Sequence, residues 1–177
     1  MDKYILAAGA LHRAGEKSSL MSIRGTVSGQ EKKLLSPEGE LVAITDIHHE
    51  TAGGHDADRV DKHTYVLTDE VGREHAAATP HYAAGSDPID TGWPLCHMPR
   101  ADHADVTMEG QEYDMVMHSG QDYSLYDRGH HEVVHILHRG IMGGWTIEDE
   151  TGLPPEDLCG LFVFCRYLER ENEFMTV

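Results

Sequence analysis

The sequence predicts a mainly β fold whose antiparallel strands enclose one apolar helix near the C-terminus. As far as Glu150, short stretches with alternating apolar residues are separated by turn residues, a pattern typical of half-buried strands joined in hairpins. From about Pro155 to Asn172 the pattern becomes that of a helix with an apolar middle. Because that middle has no polar side, the β-rich part of the chain is expected to cover it.

The length of the chain suits one domain, residues 1–177, with a sizeable core. No apolar stretch approaches the ~20 residues that a membrane span needs, so we expect no transmembrane segment. Tyr4 to Leu11 is apolar but short. We interpret it as a first strand rather than as a signal peptide.

The net charge is strongly negative, with 14 Lys and Arg residues against 31 Asp and Glu residues, a formal charge of −17. Such a surface repels phosphate backbones and anionic lipid heads. We therefore expect no nucleic acid among the partners, and binding to anionic membranes is disfavoured. The only adjacent basic pair is Lys32-Lys33.

The three cysteines, Cys96, Cys159 and Cys165, show no C-x-x-C spacing. An odd number without that spacing argues against a disulfide framework or a zinc knuckle. Cys159 and Cys165 lie on roughly opposite sides of the predicted helix at ~100° per residue, so they cannot bridge each other. We expect small buried thiols in a reducing cytoplasm.

The β-rich part contains about eleven candidate strands. In one of them Tyr113, Met115 and Met117 alternate with other residues, which predicts a strand with one face buried. Tight turns with glycine separate many of these stretches and predict hairpins, hence antiparallel neighbours. The turns are Ser36–Gly39, Asp69–Gly72, Glu109–Gln111, Ser119–Gln121 and Asp127–Gly129.

Two longer polar stretches, residues 48–62 and 80–100, interrupt the hairpins. Both are long for loops of a compact domain, which makes them candidate functional or mobile segments.

The terminal segment begins with Pro154-Pro155-Glu156-Asp157, which suits a helix start because proline is tolerated there and acids favour the positive dipole end. The following stretch, Leu158 to Cys165, contains no polar side chain. A buried strand is an alternative, since Phe and Val favour strands. The polar continuation from Arg166 to Asn172 favours the helix. About 18 residues give ~27 Å of helix, roughly the height of a barrel built from short strands.

This order of hairpins followed by an apolar helix resembles the tubby C-terminal-like fold. More narrowly, it resembles the LURP-one-related and phospholipid-scramblase-like branch. The best-matching stretch, Glu112 to Phe174, contains a Tyr-x-Leu-x-Asp-x-Gly hairpin, then Gly-Gly-Trp-x-Ile and the helix. The resemblance implies a closed antiparallel β-barrel of about 12 strands with a buried hydrophobic C-terminal α-helix through its centre. The matching residues are Tyr123, Leu125, Asp127, Gly129, Gly143, Gly144, Trp145 and Ile147.

The resemblance implies little about mechanism. Tubby proteins bind phosphoinositide head groups through basic surface residues, and scramblase-like members are associated with membranes, but matching basic positions are not evident in this sequence. A barrel filled by its own helix has little interior room, so we expect any site to lie outside, on the two long loops. The helix residues expected in the core are Leu158, Leu161, Phe162, Val163, Phe164 and Cys165.

Histidine is unusually frequent, with 14 residues. Histidine and carboxylate side chains together can bind a divalent transition metal, although no tight ligand spacing is present. The alternative is a polar loop that happens to be rich in histidine. A response to pH is a further hypothesis. The candidate metal ligands are His48, His49, His55, Asp56 and His63.

The sequence contains no nucleophile elbow, P-loop, dinucleotide-binding glycine loop or zincin motif. The leading hypothesis is therefore a non-enzymatic binding or scaffold module of the tubby-like barrel type. Its partner would be an unknown protein or a small amphiphilic ligand, and no cofactor is expected. The alternative is a metal-binding protein or a metal-dependent enzyme that uses the His/Asp-rich loop 48–63.

Overall fold

A computed structural model describes residues 1–25, 29–50, 62–82 and 101–172. Twelve antiparallel strands form a closed barrel in which each strand pairs with its sequence neighbours and β1 pairs with β12. One helix, α1 (Pro155–Arg170), follows the last strand. The predicted fold class is thus confirmed. The strands are β1 (Asp2–Ala7), β2 (Ala10–Arg13), β3 (Ser19–Arg24), β4 (Lys32–Leu35), β5 (Leu41–Glu50), β6 (Lys62–Asp69), β7 (Glu74–Tyr82), β8 (Ala101–Met108), β9 (Gln111–Ser119), β10 (Asp122–Tyr126), β11 (Glu132–His138) and β12 (Trp145–Asp149).

The strands extend into both segments that the sequence pattern predicts as loops. β5 continues to Glu50 and β6 starts at Lys62, while β7 continues to Tyr82. The backbone pairing explains this extension, since His49 is opposite His63 in the β5–β6 ladder. The remaining parts of the predicted loops, 51–61 and 83–100, lie outside the described residues.

The seam between β1 and β12 closes the barrel. Lys3 Nζ donates a hydrogen bond of 2.7 Å to Glu148 Oε1 across it. Just before β12, Gly144 has a φ of +77°, and a Cβ there would lie 2.7 Å from the Leu6 carbonyl oxygen. Glycine is therefore required where the chain turns into the closing strand.

The helix packs against the barrel and contacts strands β3 to β9. Its first turn carries Glu156 and Asp157, and the partly exposed Glu156 complements the positive end of the helix dipole. Within the residues that the structure describes, no helix combines the length and hydrophobicity that crossing a membrane requires. The buried helix residues are Asp157, Leu158, Cys159, Gly160, Leu161, Val163, Phe164, Cys165, Tyr167 and Leu168.

Aromatic side chains fill the space between the helix and β6. The Tyr65 ring lies 6.0 Å from that of Phe164 and 5.3 Å from that of Tyr167, measured between centroids. These tilted contacts suit the quadrupoles of aromatic rings. Phe162 differs from its neighbours because it is only half-buried. Within the predicted apolar middle, Leu158 to Cys165, every residue except Phe162 is buried, and Phe162 still packs against the core.

Candidate binding cleft

The open stripe of α1 consists of Phe162, Arg166 and Arg170. The first two are half-buried and the last is exposed, whereas Val163 and Tyr167 beside them are buried. Residues four apart on a helix lie above one another on the same face. Along this face the helix therefore presents an aromatic ring followed by two guanidinium groups.

A cleft of about 300 Å³ runs along this stripe, between the helix and strands β3 and β4. Ile23, Phe162 and Val163 give it an apolar wall, and Tyr167 adds an aromatic ring. The remaining lining residues are basic: Lys32, Arg166 and Arg170. Apolar and basic side chains therefore share one cleft.

Neighbouring groups hold the basic side chains in place. The guanidinium of Arg166 lies 5.5 Å from the centroid of the Trp145 ring, a cation–π distance. Arg166 also pairs with Glu169, which balances part of its charge, and donates to the Gly120 carbonyl at 3.4 Å. Lys32 Nζ donates to the Gly29 carbonyl at 3.0 Å. Among the described residues that line the cleft, none is acidic.

Tyr167 supplies a neutral hydroxyl beneath the cleft. Its hydroxyl donates to the Gln30 carbonyl and lies 3.1 Å from Thr45 Oγ1, which is buried. Burial is the main cause that raises the pKa of Tyr167 to about 12. The hydroxyl is protonated at neutral pH, as an ordinary phenol is, and its contact with Thr45 anchors the helix to β5.

The predicted metal ligands do not form one cluster in the described part of the chain. His48 and His49 are adjacent in β5, and neighbouring strand residues point to opposite faces of a sheet. Only His49 faces His63 across the ladder, with ring centroids 5.7 Å apart. His55 and Asp56 lie outside the described residues.

His63 is instead joined to the end of the helix. Its Nε2 pairs with Glu171, and the Tyr65 hydroxyl donates to the same Oε1 atom at 2.7 Å. The Glu171 carboxylate therefore connects β6 to the C-terminal end of α1.

Many other histidines form carboxylate pairs. His81 and His103 stack at 5.1 Å between centroids, and each contacts an aspartate. Exposed pairs of this kind contribute little to stability. They account for part of the histidine excess without a dedicated site. The pairs are His81–Asp105 at 2.7 Å, His103–Asp102 at 2.7 Å, His135–Asp122 at 2.8 Å and His131–Asp127 at 3.3 Å.

One group of described residues could hold a metal ion, and no sequence pattern predicted it. The group consists of His75, Glu109 and Asp157. These residues are far apart in the chain, so no sequence spacing could identify them. The only available signal was the acidic pair in the first turn of the predicted helix.

The two cysteines of the helix are unreactive in the folded protein. Cys159 and Cys165 are buried and form no disulfide. Burial raises the pKa of Cys159 to about 12 and raises that of Cys165 as well. Because the thiolate is the reactive form, neither thiol is suited to nucleophilic chemistry.

No protein-family model matches the chain, and comparisons with curated proteins and with solved structures give no match. The closed barrel of twelve strands with one C-terminal helix is compatible with a tubby-like fold.

Proposed function

We propose that this protein is a non-enzymatic binding module that holds a small amphiphile with an anionic head group in the cleft beside α1. The observation that carries the proposal is the combination of an apolar wall with three basic side chains in one cleft. The tail would lie on Ile23, Phe162 and Val163. The head group would pair with the basic side chains of the cleft, Lys32, Arg166 and Arg170.

The size of the cleft favours a small ligand. Its volume of about 300 Å³ lies at the lower end of the roughly 300–1,000 Å³ typical of ligand pockets. A medium-chain carboxylate fits that range better than a whole phospholipid. The strongly negative charge of the chain also disfavours an anionic membrane as the partner.

The lining supports binding rather than catalysis. It offers ammonium, guanidinium and phenol groups, and burial moves the pKa of Tyr167 further above neutral pH, to about 12. Among the described lining residues there is no carboxylate or imidazole to act as a general base. The proposed function requires no cofactor.

We further propose that the chain belongs to the LURP-one-related and scramblase-like branch of the tubby-like fold and acts in the bacterial cytoplasm. The hairpin from Tyr123 to Gly129, the closing Gly143-Gly144-Trp145 segment and the terminal helix support the branch. The reduced helix cysteines fit a reducing compartment.

Titration with sodium octanoate, followed by calorimetry and by amide NMR shifts, tests the binding proposal. We expect one saturable site with shifts centred on Ile23 and Phe162. The variant Lys32→Met/Arg170→Met is expected to weaken binding at least tenfold, equivalent to about 1.4 kcal/mol. Arg128→Met is the matched control, because Arg128 is exposed and pairs with Glu112 on a distant hairpin.

Octanol serves as the neutral probe of the same length and is expected to bind more weakly than octanoate. The proposal is refuted if octanoate shows no saturable binding below its micelle threshold. It is also refuted if the double variant binds octanoate as tightly as the unmodified protein does.

A further inference from the structure

The first turn of α1 contains a buried carboxylate without a partner. Asp157 has 0% exposed surface, and neither of its carboxylate oxygens accepts a hydrogen bond among the described residues. Burial is the main cause that raises the pKa of Asp157 to about 6, and the charge of Glu109 adds to it. A buried carboxylate is costly unless a cation or hydrogen-bond donors compensate it.

Two further metal-binding side chains face Asp157. His75 comes from the start of β7, and Glu109 comes from the turn between β8 and β9. One ligand atom from each of the three residues lies within 4.8 Å of the other two. His75 Nδ1 and Glu109 Oε1 are 3.6 Å apart. When two ligand atoms each lie about 2.0–2.2 Å from one metal ion, the distance between the two atoms is close to that found between His75 and Glu109.

The strand pairing places these residues next to one another. The Glu109 amide donates to the His75 carbonyl at 3.3 Å. Glu109 and Gly110 form a two-residue turn with φ values of +50° and +73°. The backbone that carries two of the three side chains is therefore fixed by the ladder. Glu109 is exposed while Asp157 is buried, so the group opens to solvent at the barrel rim.

Asp69 supports the imidazole from its other side. Asp69 Oδ2 lies 3.6 Å from His75 Nε2. The other carboxylate oxygen, Oδ1, accepts backbone N–H groups from Val71 and Arg73 at 3.0 and 2.8 Å. The imidazole of His75 therefore lies between two carboxylates, with Asp69 on the Nε2 side and Glu109 on the Nδ1 side. Metal-ligating histidines commonly have such an outer partner.

We propose that His75, Glu109 and Asp157 form a binding site for a divalent transition-metal ion, with water completing its coordination. One imidazole and two carboxylates suit Zn²⁺, Mn²⁺ or Co²⁺, whereas Mg²⁺ and Ca²⁺ prefer oxygen ligands alone. The positive charge of the bound ion would compensate the buried carboxylate of Asp157. It would also fasten the start of the helix to strands β7 to β9. This site is distinct from the histidine-rich segment 48–63 and from the cleft.

The test uses protein purified without a His tag, treated with EDTA and then titrated with Zn²⁺. We expect one tight site by calorimetry and an upward shift of the melting temperature, with no shift from equimolar Mg²⁺. Asp157→Asn and His75→Gln are each expected to abolish the Zn²⁺ shift. In EDTA, Asp157→Asn should melt at or above the unmodified protein, because it removes a buried unpartnered charge. Its lost response to metal would then not reflect unfolding.

Surface histidines supply the controls. His135→Gln and His49→Gln are expected to retain the full Zn²⁺ shift, and Co²⁺ should give d–d absorption bands that Asp157→Asn lacks. The proposal is overturned if the unmodified protein shows no Zn²⁺ shift or if Asp157→Asn retains it. Loss of the shift in His49→Gln, with Asp157→Asn unaffected, would place the metal at the histidine-rich segment instead.

Discussion

The contact between Gly160 of α1 and Leu67 of β6 gives a test of how closely the helix fits the barrel. A Cβ added to Gly160 would lie 2.7 Å from Leu67 Cδ2 and 3.2 Å from Cδ1, while carbon atoms pack best at about 3.5–4.0 Å. Leu67 is 1% exposed, so its side chain has little room to move. Overpacking typically destabilises by about 1–3 kcal/mol, and the better helix propensity of alanine offsets about 1 kcal/mol of that.

We therefore expect Gly160→Ala to lower the free energy of unfolding by up to about 2 kcal/mol. Leu67→Ala alone should cost about 2–5 kcal/mol through its cavity. The double variant should be more stable than the sum of the two changes predicts, by about 0.5–3 kcal/mol, because the new methyl group partly fills that cavity. Urea unfolding followed by circular dichroism measures all three values. A more stable Gly160→Ala protein, or additive effects, would refute this packing.

Three further predictions concern the helix and the barrel seam. Phe164→Ala should lower the free energy of unfolding by about 3–5 kcal/mol, and Phe162→Ala by less than half as much, since only Phe164 is fully enclosed. Urea unfolding measures both values, and equal losses would contradict the open stripe. The two helix cysteines should react with a thiol reagent only when the protein unfolds, as read by mass spectrometry; labelling of the native state would contradict their burial. The Lys3 hydrogen bond lowers the pKa of Glu148, so its stabilisation is present above the unfolded pKa of about 4.3 and is lost as pH falls through the folded pKa. Lys3→Met should therefore reduce the stability that is lost on acidification, by less than about 1 kcal/mol. An unchanged dependence of stability on pH would argue against the Lys3–Glu148 pair.

The hairpins could be predicted because their signals are local. In β9 the alternation of Tyr113, Met115 and Met117 marks the face that packs on the core, although only Met115 is fully buried. Each predicted turn lies between two strands. The strand count was harder to predict from the pattern alone. β2, Ala10–Arg13, has only four residues, too few for an alternation to stand out.

The two candidate sites could not be predicted because they depend on contacts between distant parts of the chain. Lys32 and Arg166 line one cleft only after the barrel closes around the helix, and His75 approaches Asp157 in the same way. A local signal for the cleft did exist. Arg166 and Arg170 follow Phe162 at four-residue intervals, which indicates one polar stripe on an otherwise apolar helix.

Packing and binding are coupled through the rotation of the helix. At ~100° per residue, a small turn of α1 would bury Arg166 and move Phe162 out of the cleft. The close contact at Gly160 fixes that rotation on the opposite side, where the backbone of the helix approaches Leu67. Gly160→Ala should therefore weaken octanoate binding as well as stability, although Gly160 does not line the cleft. An unchanged octanoate affinity in the folded variant would show that the cleft does not depend on how the helix is seated.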